Sequence, residues 1–114
     1  MIDAHRLHTL QMLLHFSKPI RELEGLVGRL PWDRNECLVE LTPEIVRNIL
    51  VLYLHGERNA LEIETWANLV ESREDIASTP SIRNVVYRLA NPLLEGSLTQ
   101  KAASDLLSEL YGLR

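Results

Sequence analysis

The sequence predicts an all-α protein, a compact bundle of about six helices in antiparallel pairs, built as a single domain over residues 1–114. Apolar residues recur at three- and four-residue intervals along most of the chain, which is the helical period. Thr-Pro dipeptides and isolated glycines stand where these apolar stripes begin and end, as helix caps do. Hydrophobic residues make up 46% of the chain and charged residues 25%, an ordinary globular composition.

Two amphipathic helices are predicted before Pro31. The first stripe, within residues 3–16, consists of Leu7, Leu10, Leu13 and Leu14. The second consists of Ile20, Leu23, Val27 and Leu30. Gly25 and Gly28 lie inside the second helix and each costs about 1 kcal/mol relative to alanine. That helix therefore needs tertiary support, or it allows another backbone to approach closely.

The next segment, PWDRNE at residues 31–36, is predicted to be a loop. Residues 37–41 alternate in a way that fits either a short strand or a further piece of loop. A lone strand needs a partner, and no partner is evident in the sequence. Cys37, the only cysteine, stands in this apolar stretch and is expected to be a buried, unreactive thiol.

Thr42-Pro43 and Gly56 bound the third predicted helix, since threonine caps a helix, proline suits its first position and glycine follows its end. Its inward stripe is predicted to be Ile45, Ile49 and Leu52.

Asn59 and Glu62 have the spacing of a capping box at the start of the fourth helix. Trp66 and Val70 lie on the inward stripe of that helix, which is predicted to end near Ser72.

Thr79-Pro80 starts the next helix, Pro92 closes or kinks it, and Thr99 starts the last one, which ends at Gly112. Residues 42–72 and 79–112 consequently share the same order of helix signals: a Thr-Pro cap, a glycine turn and a second cap. Two gaps are needed to align them, so duplication and chance reuse of the same helix signals explain the likeness about equally well.

Catalysis and metal binding are not predicted. His5 and His8 are one helical turn apart, but a structural zinc site needs four ligands, and Cys37 is the only other soft donor. No nucleophile motif of the hydrolase or β-lactamase type occurs. We therefore expect a non-enzymatic protein without a cofactor.

Nucleic acid, membranes and export are not predicted either. The net charge is −4 and the pI about 5.5. The hairpin around Gly56 invites comparison with helix-turn-helix motifs, but residues 60–71 contain three glutamates and neither lysine nor arginine. No signal peptide or membrane-spanning run is evident, so a cytoplasmic protein is expected.

The segment WANLVESREDI, residues 66–76, gathers acids where its helix ends. A helix C-terminus carries partial negative charge and disfavours carboxylates, so these acids need a compensating cation. Arg73 reaching back to Glu71 or to the last carbonyls is the local solution; a partner protein is the other. The predicted partner-binding residues on this side are Glu62, Glu64, Glu71, Arg73, Glu74 and Asp75.

A second predicted contact lies in the 31–36 loop, where Trp32 and Asp33 combine an aromatic with charge. Tryptophan is enriched among the residues that dominate binding energy at interfaces, so Trp32 is a candidate anchor. The alternative is a lid over the core, which the preceding Leu-Pro favours.

The stretch ELTPEIVRNILVLYLHGERNALEIETWANLVESREDI, residues 40–76, resembles short bacterial proteins of unassigned function. These carry a capped helix, a glycine turn and a helix ending in WAN-x-x-E-x-R-[ED]-D-I. The chain is also similar in size, acidity and helicity to the immunity proteins that neutralise bacterial toxins. The second resemblance implies an inhibitor whose acidic surface covers a basic site on a cognate toxin. The alternative is a structural module or homodimer that associates through residues 37–41 or the Gly25/Gly28 face.

Overall fold

The protein is described by a computed structural model that covers residues 4–30 and 37–112. Seven helices and two short strands lie within these ranges, which confirms the all-α class. The helices are α1 (Ala4–His15), α2 (Ile20–Gly28), α3 (Pro43–Leu54), α4 (Ala60–Glu71), α5 (Pro80–Ala90), α6 (Pro92–Glu95) and α7 (Gln100–Tyr111). The strands are β1 (Val39–Glu40) and β2 (Ile76–Ala77). The helix beyond the predicted six is α6, a single turn that begins at Pro92.

The predicted helix starts are confirmed by their capping contacts. The side-chain oxygens of Thr42, Thr79 and Thr99 each accept the backbone N–H three residues further on. At the start of α4, Asn59 accepts the Glu62 N–H at 2.8 Å and its own N–H donates to the Glu62 carboxylate at 2.9 Å. Each cap satisfies backbone donors that have no partner inside the helix.

The end of α3 follows from Gly56, whose φ of 76° lies in the left-handed region that glycine adopts without strain. Its N–H donates to the Tyr53 carbonyl at 3.0 Å, and the Glu57 N–H donates to the Leu52 carbonyl at 2.9 Å. This pair of bonds is the Schellman arrangement.

The end of α1 uses the same two bonds, but Phe16 takes the glycine position with φ 51°. An aromatic residue in this region costs roughly 1–3 kcal/mol, so the surroundings must hold it there. The Arg58 guanidinium lies 4.5 Å from the centre of the Phe16 ring and donates to the Phe16 carbonyl at 3.2 Å. The indole N–H of Trp66 donates to the Leu13 carbonyl at 2.7 Å. Trp66 is fully buried, as its place on the inward stripe predicts.

The two strands resolve the alternatives for residues 37–41. They pair in parallel, with Val39 opposite Ile76 and Glu40 opposite Ala77. The Leu41 N–H extends the pairing by donating to the Ala77 carbonyl at 2.8 Å. A strand is therefore formed over residues 39–40 of the predicted 37–41, and its partner follows the acidic end of α4.

The helices of the two predicted hairpins interlock. Helix α4 packs mainly along α5 and α3 mainly along α7, whereas α3 and α4 touch less. The offset along the chain that relates Val39 to its partner Ile76 also relates the capping residues Thr42 and Thr79. Duplication itself stays a prediction.

Helix α1 packs on α2 and also contacts α3, α4 and β1. As a result α3 has neighbours on more than one side, and its fully buried residues are Val46, Ile49 and Leu50. The predicted stripe was partly wrong, since Ile45 and Leu52 are half-buried. Within the described ranges, no helix has both the length and the apolar composition needed to cross a bilayer.

Candidate interaction surface

The carboxylate of Asp75 is buried, which corrects its predicted place on an acidic surface. Arg73 donates to both of its oxygens, from Nε to Oδ1 at 3.1 Å and from Nη2 to Oδ2 at 2.8 Å. The Nε of Arg6, on α1, lies 3.6 Å from Oδ2. A carboxylate that leaves water needs such partners, because an uncompensated buried charge costs several kcal/mol.

The backbone of Asp75 is equally engaged. Its carbonyl accepts the Leu38 N–H at 2.8 Å, next to the β1–β2 pairing. Asp75 therefore joins α1, the segment after α4 and β1. The sequence predicted that Arg73 reaches Glu71 or the last helical carbonyls; in the fold, its guanidinium donates to the Asp75 carboxylate.

The other predicted acids divide into two groups. Glu62 belongs to the capping box, so its position has a structural explanation. Glu64 and Glu71 lie two helical turns apart on one face of α4, and within the described residues neither forms an ion pair. Glu74 follows the helix and is exposed. We call Glu64, Glu71 and Glu74 the acidic surface.

Two further predictions concern the segment around β1. Trp32 and Asp33 lie outside the described residues, so the anchor and the lid stay predictions. Cys37 is exposed, which corrects the expectation of a buried thiol. Its sulfur lies 3.8 Å from the Glu74 carbonyl oxygen.

No arrangement for chemistry stands out in the part of the chain that the structure describes. No group of three or more histidine, cysteine or acidic residues there is placed to hold a metal ion. A groove of about 420 Å³ between α2 and α4 is lined by Pro19, Ile20, Arg21, Glu24, Asn59, Leu61, Glu62 and Thr65. Its one hydroxyl, on Thr65, donates to the backbone carbonyl of Leu61 at 3.0 Å, and Glu62 serves the capping box.

The structure also has an exposed apolar surface that the sequence patterns did not predict. Leu93 is 100% exposed and Leu94 is 74% exposed, both on the single turn α6. Tyr87, on α5, is 40% exposed. The sequence feature that indicates this surface is the pair of leucines between Pro92 and Gly96. That segment is too short to form an inward-facing apolar stripe of its own.

Comparison of this chain with models of protein families, with curated proteins and with solved structures finds no match.

Proposed function

We propose that this protein acts by binding another protein, most concretely as an immunity-like inhibitor whose acidic surface covers a basic site on a toxin. The observation that carries the proposal is the position of Glu71. It lies exposed in the last turn of α4, and that turn contains no basic residue.

The physical reason is the field of the helix. The carbonyls at a helix C-terminus carry partial negative charge, and a carboxylate placed there costs about 0.3–1 kcal/mol. Arg73, the nearest arginine along the chain, is nine-tenths buried and donates to both oxygens of Asp75. A cationic partner over Glu64 and Glu71 would remove this unfavourable interaction.

Charge complementarity of this kind mainly raises the association rate and sets specificity. A basic partner would be drawn to the acidic surface from a distance of about a Debye length, roughly 8 Å at physiological ionic strength. The proposal therefore predicts binding kinetics that depend strongly on salt.

The test uses the double substitution Glu64→Gln/Glu71→Gln. The unmodified chain is used to capture partners from a lysate of its source organism, and the captured protein is identified and purified. We expect a basic protein whose association with the double variant is about tenfold slower at low ionic strength. At high ionic strength the difference should nearly vanish.

Glu44→Gln is the matched control. Glu44 is an exposed acid at the start of α3, so its substitution changes net charge without touching the acidic surface. Equal slowing by Glu44→Gln would contradict the proposal, as would a captured partner that is not basic. A clean homodimer with no other partner would favour the structural module instead.

A further inference from the structure

The apolar surface of α6 faces away from the rest of the fold. Pro92 and Glu95 line a groove of about 150 Å³ between α6 and α7, whereas Leu93 and Leu94 are not among its lining residues. Single exposed apolar side chains are common on protein surfaces, but contiguous ones mark interaction sites. Leu93 and Leu94 are adjacent on one helical turn, with 100% and 74% exposure, and so form a contiguous apolar surface.

Helix α5, which contacts α6, also has exposed side chains. The side-chain amide of Asn91 donates to the Tyr87 carbonyl at 2.8 Å, and the Leu94 N–H donates to the Asn91 carbonyl at 3.1 Å. Arg83 precedes Tyr87 by one helical turn, so the two share a face of α5. We call Arg83, Tyr87, Leu93 and Leu94 the α5–α6 strip.

At the matching positions of the other half of the fold, the side chains are buried. With the offset that relates Thr42 to Thr79, Val46 corresponds to Arg83 and Leu50 to Tyr87. Val46 and Leu50 are fully buried on α3, which packs mainly along α7 and also contacts α1. Arg83 and Tyr87 are exposed on α5. The matching positions are therefore covered in the first half and exposed in the second.

The charge of the strip indicates what would cover it. Helix α5 contains two arginines and no acid. Arg88 is paired with Glu109 at 3.1 Å. Arg83 is exposed and, within the described residues, its guanidinium donates to the Ser78 hydroxyl at 3.3 Å and to no carboxylate. A covering segment would therefore place an acidic side chain against Arg83.

The geometry points to the α5–α6 strip as the docking site of an amphipathic helix from a partner protein, with an apolar stripe flanked by acidic side chains. A second copy of this chain fits less well. Specific interfaces bury about 800 Å² per partner, and obligate homodimer interfaces bury more and are about 65% apolar. Even if each of the three apolar side chains of the strip buried about 150 Å², a value typical of an aromatic side chain, the buried area would be about 450 Å². That area is smaller than a stable homodimer interface needs.

The test uses two synthetic helical peptides with the same leucine stripe, flanked by glutamate in one and by lysine in the other. Each is titrated into the full chain while backbone amide shifts are followed by NMR. We expect the glutamate peptide to bind about tenfold more tightly and to shift amides of α5 and α6. Leu93→Ser/Leu94→Ser should weaken its binding at least tenfold, and Arg83→Ala should weaken it about fivefold with little effect on the lysine peptide.

Leu61→Ser is the matched control, because Leu61 is also an exposed leucine, at 68%, but lies on α4. It should leave peptide binding unchanged, and all these variants should keep the melting temperature because the altered side chains are exposed. Equal affinity for the two peptides would overturn the proposal, as would equal loss with Leu61→Ser. A homodimer or a vesicle-bound form that is abolished by the double serine variant would overturn it too.

This site is separate from the acidic surface. Glu64→Gln/Glu71→Gln should not alter peptide binding, so the two proposals fail or survive independently.

Discussion

The carboxylate of Asp75 lies at the centre of a buried polar cluster that joins distant parts of the chain. Arg6 reaches it from α1 and Arg73 from the segment after α4, while its carbonyl accepts an N–H next to β1. Side chains of 0–10% exposure make this cluster part of the core. Removing one charge from such a cluster leaves the others in a medium that cannot solvate them.

Asp75→Asn should therefore destabilise the protein by about 3–5 kcal/mol, the cost of breaking a buried ion pair from one side. Urea denaturation followed by circular dichroism measures the free energy of unfolding. The matched control is Asp105→Asn, because Asp105 pairs with Lys101 at 3.1 Å but is 63% exposed. It should cost less than about 1 kcal/mol. Equal effects from the two substitutions would show that the cluster does not contribute as a buried group.

Phe16 shows a second residue whose conformation depends on partners far along the chain. Its φ of 51° is unfavourable for an aromatic side chain, yet the ring is 2% exposed and stacked under Arg58. Burial of the ring and the contact with the guanidinium offset the backbone strain. Arg58 comes from the turn between α3 and α4, so the end of α1 is defined by another part of the fold.

At the scale of the elements, glycine has opposite roles in α2 and after α3. Gly56 has a positive φ that lets α3 end, whereas Gly25 lies within α2 and has ordinary helical neighbours. A Cβ added at either position would meet no atom within 4 Å. An added methyl group would therefore not clash with the described residues at either position. The effect of alanine on stability then depends on the backbone conformation of each glycine. The close approach of another backbone to α2 is not seen in the described residues.

Gly56→Ala should lower the free energy of unfolding by about 1 kcal/mol, because alanine resists a positive φ. Gly25→Ala should raise it by up to about 1 kcal/mol, because alanine is the better helix former. Thermal and urea denaturation of both variants measure the two signs. Destabilisation by Gly25→Ala would indicate that the surface of α2 contacts something beyond the described residues.

At the scale of the whole molecule, the interlocked packing makes the halves interdependent. Helices α3 and α4 belong to one hairpin, but each packs mainly on a helix of the second half. The parallel pairing of β1 with β2 connects the halves again. A hairpin without its counterpart would expose the apolar faces that hold it.

Fragments 1–74 and 75–114 should therefore each lack a cooperative thermal transition when prepared alone. Mixed at equal concentration, they should regain helical circular dichroism, because the missing packing surfaces are restored. The complete chain, for which we expect a single transition, is the reference. A cooperative transition in either isolated fragment would contradict the interlocked arrangement as the source of stability.

Helix positions were predictable because their signals act between neighbours in the chain. A Thr-Pro cap, a capping box or a glycine turn involves residues three to five apart, and the period of apolar residues identifies the buried face. Thr42, Asn59, Gly56 and Trp66 accordingly have the roles that their local patterns predict.

The candidate site was less predictable because its features depend on residues far apart. Asp75 was predicted to lie on the acidic surface, but it is buried beside Arg6, which lies nearly seventy positions earlier in the chain. Val39 and Glu40 form a strand because Ile76 and Ala77 come alongside, and a sequence pattern cannot select that partner. The apolar surface at Leu93 is exposed because no described helix covers it.

Local propensity and periodicity thus define the class of fold, the helices and most of their buried faces in this protein. The pairing of α4 with α5, the burial of Asp75 and the exposure of Leu93 follow from long-range packing. The physical reason is that capping and helical hydrogen bonds close over a few residues, whereas burial is a property of whichever distant segments meet at a given place.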